Sequence, residues 1–146
     1  MLRGNHPARI DDKGRIKIPN GFLTSIVSQY GPEIFLTSVS GDYVRLYPMA
    51  VWLEIERKLA QVPSTNPAKS RFLERVNFYG QVVTLDKQGR VVLPQILRES
   101  AAMAGEVGVL GAQNHLAVWN LKRLQERLKK EPFTDEDGRA LSEFGI

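Results

Sequence analysis

Residues 8–22 read ARIDDKGRIKIPNGF, and residues 83–97 read VTLDKQGRVVLPQIL. Set 75 apart, the two stretches share Asp11 with Asp86, Gly14 with Gly89, Arg15 with Arg90 and Pro19 with Pro94. Aliphatic positions agree in the same register: Ile10 with Leu85, Ile16 with Val91, Ile18 with Leu93 and Phe22 with Leu97. A fainter echo at a spacing of 72 relates Val44-Arg45-Leu46-Tyr47 to Leu116-Ala117-Val118-Trp119. Two copies are too few for a solenoid. They suit a domain with a pseudo-twofold axis, one half packed on the other.

Within each copy Ile10, Ile16 and Ile18 alternate with polar residues, the period of a half-buried strand. The intervening Asp12-Lys13-Gly14, matched by Lys87-Gln88-Gly89, reads as a three-residue hairpin loop whose last position requires φ > 0 and therefore glycine. Asp11 and Arg15, like Asp86 and Arg90, then face each other across the strands. Pro19 and Pro94 end the second strand and suit the first turn of a helix. Phe22, Ile26 and Tyr30 carry that helix to Gly31-Pro32, and in the second copy it runs on through residues 100–104 to Gly105. A second hairpin follows around Ser40-Gly41, or around Gln113-Asn114. A closing helix is marked by Trp52, Ile55 and Leu59, or by Leu121, Leu124 and Leu128. Each half is strand, strand, helix, strand, strand, helix, which makes the chain α+β and mainly β. Val62 to Pro67 is a turn cluster, and Pro67 starts a helix to about Tyr79 with Phe72, Val76 and Tyr79 on one face.

The chain has 146 residues, no cysteine and 42% hydrophobic residues, enough for a core without disulfide staples. Lack of cysteine excludes a thiolate zinc site and a cysteine nucleophile. No apolar run backs a basic start, and none approaches about 18 residues, so neither a secretory signal nor a membrane span is expected. Residues 131–146 hold Glu131, Asp135, Glu136, Asp137 and Glu143 against Arg139 alone. That is a net −4, which leaves +8 on residues 1–130 out of the chain's +4. A basic body suits a polyanion, although surplus lysines also serve solubility. The acidic tail reads as mobile or used in assembly.

A tight turn carrying arginine projects a guanidinium that can donate two parallel hydrogen bonds to a guanine edge or a phosphate. Asp11 and Asp86, as anions, do not attract DNA; their expected task is to hold Arg15 and Arg90 in one rotamer, which lowers the entropy lost on binding. Gly14 and Gly89 are expected to let the backbone, with its N–H, approach a phosphate. Lys13 and Lys17 add charge to the first turn, but only Lys87 to the second, so the first should carry more affinity. Arg3 stands on an N-terminal arm, within reach of DNA or of a neighbouring subunit. Catalytic patterns are missing: Asp11 and Asp12 are adjacent, His6 and His115 have no zinc spacing, and no P-loop or nucleophile elbow occurs. Both histidines read as solvated or loop residues, and Trp52 and Trp119 as core.

The two stretches resemble the SpoVT/AbrB-type DNA-binding unit. Two such units in a chain of this length resemble the MraZ family of bacterial transcriptional regulators. The resemblance rests on Arg3-Gly4, the D-x-K-G-R at 11–15, Tyr47-Pro48 with Trp52, Asn66-Pro67, and the D-x-x-G-R at 86–90. It implies units at residues 7–54 and 83–126 joined by a linker and helix at 62–82, with 131–146 as tail. It implies a swapped-hairpin β-barrel and a homo-oligomeric ring. It implies a repressor of its own division and cell-wall operon, acting on repeated motifs in double-stranded promoter DNA, in the cytoplasm and on the nucleoid. No cofactor, metal, membrane or small-molecule substrate is expected. Carried over by position, the DNA-contacting residues are Lys13, Gly14, Arg15 and Lys17 with Arg3, then Lys87, Gly89 and Arg90, with Asp11 and Asp86 as orienting partners. Gln88 replaces the lysine of the first copy. A protein-interaction or antitoxin-like module is the alternative, motivated by the acidic tail and amphipathic helices, and a small hydrolase is a distant third.

Overall fold

The computed structural model describes residues 1–146. Its first half holds β1 (Asn5–Ile10), β2 (Arg15–Lys17), α1 (Asn20–Tyr30), β3 (Glu33–Thr37), β4 (Val44–Pro48) and α2 (Met49–Ala60). After α3 (Pro67–Phe78) the order recurs as β5 (Gln81–Thr84), β6 (Arg90–Val92), α4 (Gln95–Ser100), β7 (Gly105–Gly111), β8 (Leu116–Asn120) and α5 (Leu121–Lys130). A last helix, α6 (Asp135–Ser142), stands in the tail. The chain is thus α+β and mainly β, with the repeat of strand, strand, helix, strand, strand, helix intact. No helix is long and apolar enough to cross a membrane.

All eight strands form one antiparallel sheet in the order β5-β3-β4-β8-β7-β1-β2-β6, which curls into a nearly closed barrel. The ladder shows why the two halves need each other. β1 touches its own hairpin partner β2 at the single pair Ile10↔Ile16, yet pairs with β7 of the other half over six residues. β2 pairs with β6 as Arg15↔Val92, Ile16↔Val91 and Lys17↔Arg90. On the opposite wall β4 pairs with β8 as Val44↔Val118, Arg45↔Ala117 and Leu46↔Leu116. Both ladders map onto themselves when the halves are exchanged, so a pseudo-twofold axis runs through Ile16/Val91 and Arg45/Ala117. Gly89 accepts from Ile18 N–H and Gly14 from Leu93 N–H, each at 2.9 Å, a reciprocal bond between the halves.

The four aliphatic pairs legible in the repeat all lie in one 20-residue core inside the barrel: Ile10/Leu85, Ile16/Val91, Ile18/Leu93 and Phe22/Leu97. Trp52 and Trp119 are buried outside the barrel wall. Trp52 stacks on Phe35 with Val76 of α3 beneath it, and Trp119 stacks on Tyr43 beside Leu124 of α5. Helices α2, α3 and α5 therefore seal the outer faces of the strands they follow or cross.

Two expectations need correction, and two further features stand beside them. Pro19 and Pro94 sit at the N-cap, one position ahead of the first turn, in extended backbone that joins strand to helix. Helix α4 stops at Ser100: Ala102 takes φ 52°, which folds the chain back so that Met103 is buried and β7 can start at Gly105. The acidic tail holds a helix of its own. Thr134 and Asp137 form a reciprocal capping box, at 3.0 and 3.1 Å, that starts α6. His115 lies in the loop between β7 and β8, half-buried and stacked on Tyr47 with ring centroids 4.5 Å apart.

Burial, then the positive charge of Arg45, pushes the His115 pKa from 6.5 down to about 4. Its folded value lies below its unfolded one, so the unfolded chain takes up the proton first. Stability is full above about pH 6.5 and falls as pH drops toward 4; His115→Phe should flatten that slope in urea unfolding followed against pH. At the axis, Ile16→Ala should destabilise the chain by about 2–5 kcal/mol in the same assay, because Ile16 is fully buried.

Candidate nucleic-acid interface

The two D-x-x-G-R turns adopt one geometry. Asp11 N–H donates to Arg15 O and Gly14 N–H to Asp11 O, both at 3.0 Å, closing the three-residue loop. Asp11 Oδ1 accepts from the N–H groups of Lys13 at 3.0 Å and Arg15 at 2.8 Å, while Oδ2 accepts from Arg15 Nε at 2.7 Å. In the second turn Asp86 accepts from Gln88 N–H at 2.8 Å, Arg90 N–H at 2.9 Å and Arg90 Nε at 3.0 Å. Each carboxylate thus ties down both its loop and its arginine. The bond is made at Nε, and the two Nη groups of Arg15 and Arg90 donate to nothing within the chain, which leaves the end of each fork free. The backbone N–H of Arg15, opposed by desolvation and helped by its guanidinium, holds the Asp11 carboxyl below its ordinary value; Arg90 does the same for Asp86.

Pairing of β2 with β6 brings the two turns to one surface. Ile16 and Val91 point into the core, so by strand alternation Arg15, Lys17, Arg90 and Val92 point outward. Lys17 stands directly opposite Arg90, and Arg15 lies two residues along the same strand, so the three cations sit within about 8 Å of one another at their β-carbons. Lys17 Nζ also donates to Asn20 Oδ1 at 2.9 Å. Lys13 and Lys87 are exposed at the loop tips. The result is one two-stranded ribbon with a basic outer face, one strand from each repeat.

Two expected site features differ. Gly14 and Gly89 are buried, and their N–H groups are spent inside the turns. Both are held at positive φ, 76° and 75°, and each is covered by a helix of the other half: Arg98 of α4 lies over Gly14, and Leu23 of α1 lies over Gly89. Glycine is required there for conformation and close packing, not to offer a donor. Arg3 is exposed, yet its segment is no free arm: Leu2 is buried and bridges Gln113 through bonds of 2.8 and 3.0 Å. Arg3 therefore lies beside Gly111, on β7, apart from the turn cluster on β2 and β6. Arg9, a further cation near the first turn, faces Glu106 at 3.7 Å. Arg98 escaped the sequence reading, since nothing local places it over a turn 84 residues earlier. The repeat itself held the signal, because position 98 aligns with position 23.

Comparison with known proteins points the same way. The family described as "MraZ protein, putative antitoxin-like" matches residues 1–75 and 80–144. A protein of Acidobacterium capsulatum is 51% identical over 146 residues, covering all of both chains. One of Koribacter versatilis is 48% identical over 147 residues, again covering both in full. One of Moorella thermoacetica is 35% identical over 144 residues, 98% of this chain and 95% of its own. Each of the three bears the name "Transcriptional regulator MraZ".

Because the carboxyl pKa is depressed, the Asp11–Arg15 and Asp86–Arg90 pairs contribute above the unfolded value and are lost as pH falls through the folded one. Carbon-detected NMR titration should return midpoints for both residues below that of a free peptide aspartate. Asp11→Ala should mobilise the Arg15 guanidinium, seen as loss of order at its Nε–H in nitrogen relaxation, while the barrel's amide spectrum is kept.

Proposed function

This chain belongs to the MraZ family, and from that premise we propose that it is a sequence-specific DNA-binding transcriptional regulator whose reading head is the outer face of the β2–β6 ribbon. The observation that carries the reading is the convergence of Arg15, Lys17 and Arg90 from two distant segments onto that face, with both arginine forks preset by aspartates. A two-stranded ribbon fits the major groove, and a free guanidinium fork matches guanine O6 and N7. Lys13 and Lys87 at the tips lie where flanking phosphates would pass, and phosphate contacts fix register. Gly14 and Gly89 serve by shape, and Arg3 lies outside this face.

In this reading residues 7–54 and 83–126 are the two SpoVT/AbrB-type units, joined through 62–82. The chain works in the cytoplasm on nucleoid DNA and represses its own operon. One ribbon spans only a few base pairs, so repeated motifs call for several copies, assembled as a closed homo-oligomeric ring. Leu53, Phe78 and Val82 on the body, and Phe133, Phe144 and Ile146 around α6, are exposed apolar side chains of the kind such contacts cover. The same exposed tail supports the second reading, a protein-interaction or antitoxin-like module. A stoichiometric foreign partner on residues 121–146 would favour that module, and a pure homo-oligomer at native mass the ring.

Arg15→Ala should abolish specific binding to a duplex selected from a random pool, with fold and native mass unchanged. A bidentate arginine–guanine pair is worth about 1–3 kcal/mol of discrimination. Arg90→Ala should weaken binding less, because Lys17, directly opposite Arg90, keeps positive charge at that place, whereas Arg15 faces the uncharged Val92, and because Gln88 stands where the first turn has Lys13. Unchanged affinity for both variants in gel shifts would remove the ribbon from consideration.

A further inference from the structure

We propose that Arg98, reaching across from the second repeat, is a phosphodiester ligand that completes the first turn, an assignment that rests on the DNA-binding reading above. The case begins with the pseudo-symmetry. Positions 23 and 98 are equivalent, and each covers the turn glycine of the opposite half. Over Gly89 the cover is the aliphatic Leu23. Over Gly14 it is a guanidinium: a β-carbon placed on Gly14 would lie 2.6 Å from Arg98 Cδ and Nη1 and 2.7 Å from Cζ. Leu23 shows that closing this space needs only an apolar side chain. The charge at 98 therefore serves something besides packing.

Nothing in the chain neutralises it. No carboxylate lies within salt-bridge range of Arg98; the five ion pairs are Arg9–Glu106, Arg15–Asp11, Arg57–Glu54, Arg90–Asp86 and Arg127–Glu131. The neighbouring Glu99 instead accepts from Gln95 Nε2 at 2.8 Å. Arg98 Nε is buried and has no hydrogen-bond partner, alone among the buried side-chain nitrogens and oxygens. An unpaired cation pressed against backbone carries a desolvation cost that an arriving anion offsets. The planar guanidinium suits a phosphate oxygen, and its neighbours along the turn are Lys13 and Arg15. The half-buried stem restricts its sweep, which suits it to hold a phosphate beside the ribbon and not to probe a base edge. The first turn thus carries a cation from the other half over its glycine, where the second carries Leu23.

The test exchanges the two cover residues. Arg98→Leu and Leu23→Arg are compared with the unaltered chain and with Arg15→Ala, by fluorescence anisotropy on the selected duplex and a scrambled one, across a salt series. Arg98→Leu is expected to weaken both duplexes alike, by roughly tenfold or more. It should lower the slope of log K against log salt by about 0.9, the value of one phosphate contact, and leave the thermal midpoint in place. Leu23→Arg should raise the slope by a similar amount. If Arg98→Leu folds poorly, Arg98→Lys keeps the charge without the fork and is expected to hold the slope while losing affinity. Unchanged slope and affinity in Arg98→Leu, with Arg15→Ala still abolishing binding, would make Arg98 a packing residue and overturn the proposal. A loss confined to the selected duplex would also overturn it, by making Arg98 a base reader. If Arg15→Ala binds as tightly as the unaltered chain, it is the underlying DNA-binding reading that fails.

Discussion

The antiparallel pairing of β2 with β6 is the contact on which this chain depends. Neither strand can be satisfied within its own half: β2 shares one residue pair with β1, and β5 and β6 form no ladder with each other. Three-residue strands left unpaired would expose backbone donors and acceptors at the rim of an open sheet. Joined across the pseudo-twofold axis, they bury Ile16 against Val91, close the barrel wall and present one continuous outer face. Folding and site assembly are therefore the same event. A half-chain has neither a barrel nor a ribbon.

The same pairing explains how a duplicated unit can become unequal without coming apart. Positions that make the inter-half bonds stay alike, Gly14 and Gly89 as acceptors and Ile18 and Leu93 as donors, and so do Asp11 and Asp86, each of which anchors its own turn. Other positions have diverged, with the exposed Lys13 matched by Gln88 and Lys17 by Val92, and the glycine cover Leu23 matched by Arg98. The first turn gains charge from Lys13 and, across the halves, from Arg98 over Gly14, while Lys17 faces Arg90 on the ribbon. The scaffold tolerates the difference at 13/88 and 17/92 because those side chains are exposed and contribute little to the core.

The fold was legible where local chemistry and the repeat agreed. The four aliphatic pairs fell into the core because alternation and register marked the same residues, and the positive φ of Gly14 and Gly89 followed from loop length. Which strands pair was not legible from local pattern, since β2–β6 and β1–β7 join segments far apart in sequence, and only the family resemblance supplied the swapped arrangement. Helix α6 was missed because five acids in the tail outweighed a Thr134-x-x-Asp137 cap that was present in plain sight. Likewise the stop of α4 depends on an alanine at φ 52°, a position residue type does not announce. Of the site, the turns and their Asp–Arg pairs were visible. Their union on one face, and the cover of each glycine by the other half, were tertiary facts.

Preset geometry also bears on how such a surface discriminates. Each arginine is bonded through Nε to a carboxylate whose other oxygen accepts from two backbone N–H groups, so the anchor that holds its rotamer is itself fixed. An arginine otherwise carries about 2 kcal/mol of rotamer entropy, and here much of that has been surrendered on folding. The remaining fork can meet a guanine edge or a phosphate at little further cost, but it cannot swing to find a poorly placed acceptor. Rigidity thus turns a modest affinity into a selective one. A single ribbon with two such arginines and Lys17 contacts too little DNA to be both tight and specific. Selectivity of this kind gains most when identical faces meet identical motifs in series, where each added contact is effectively intramolecular.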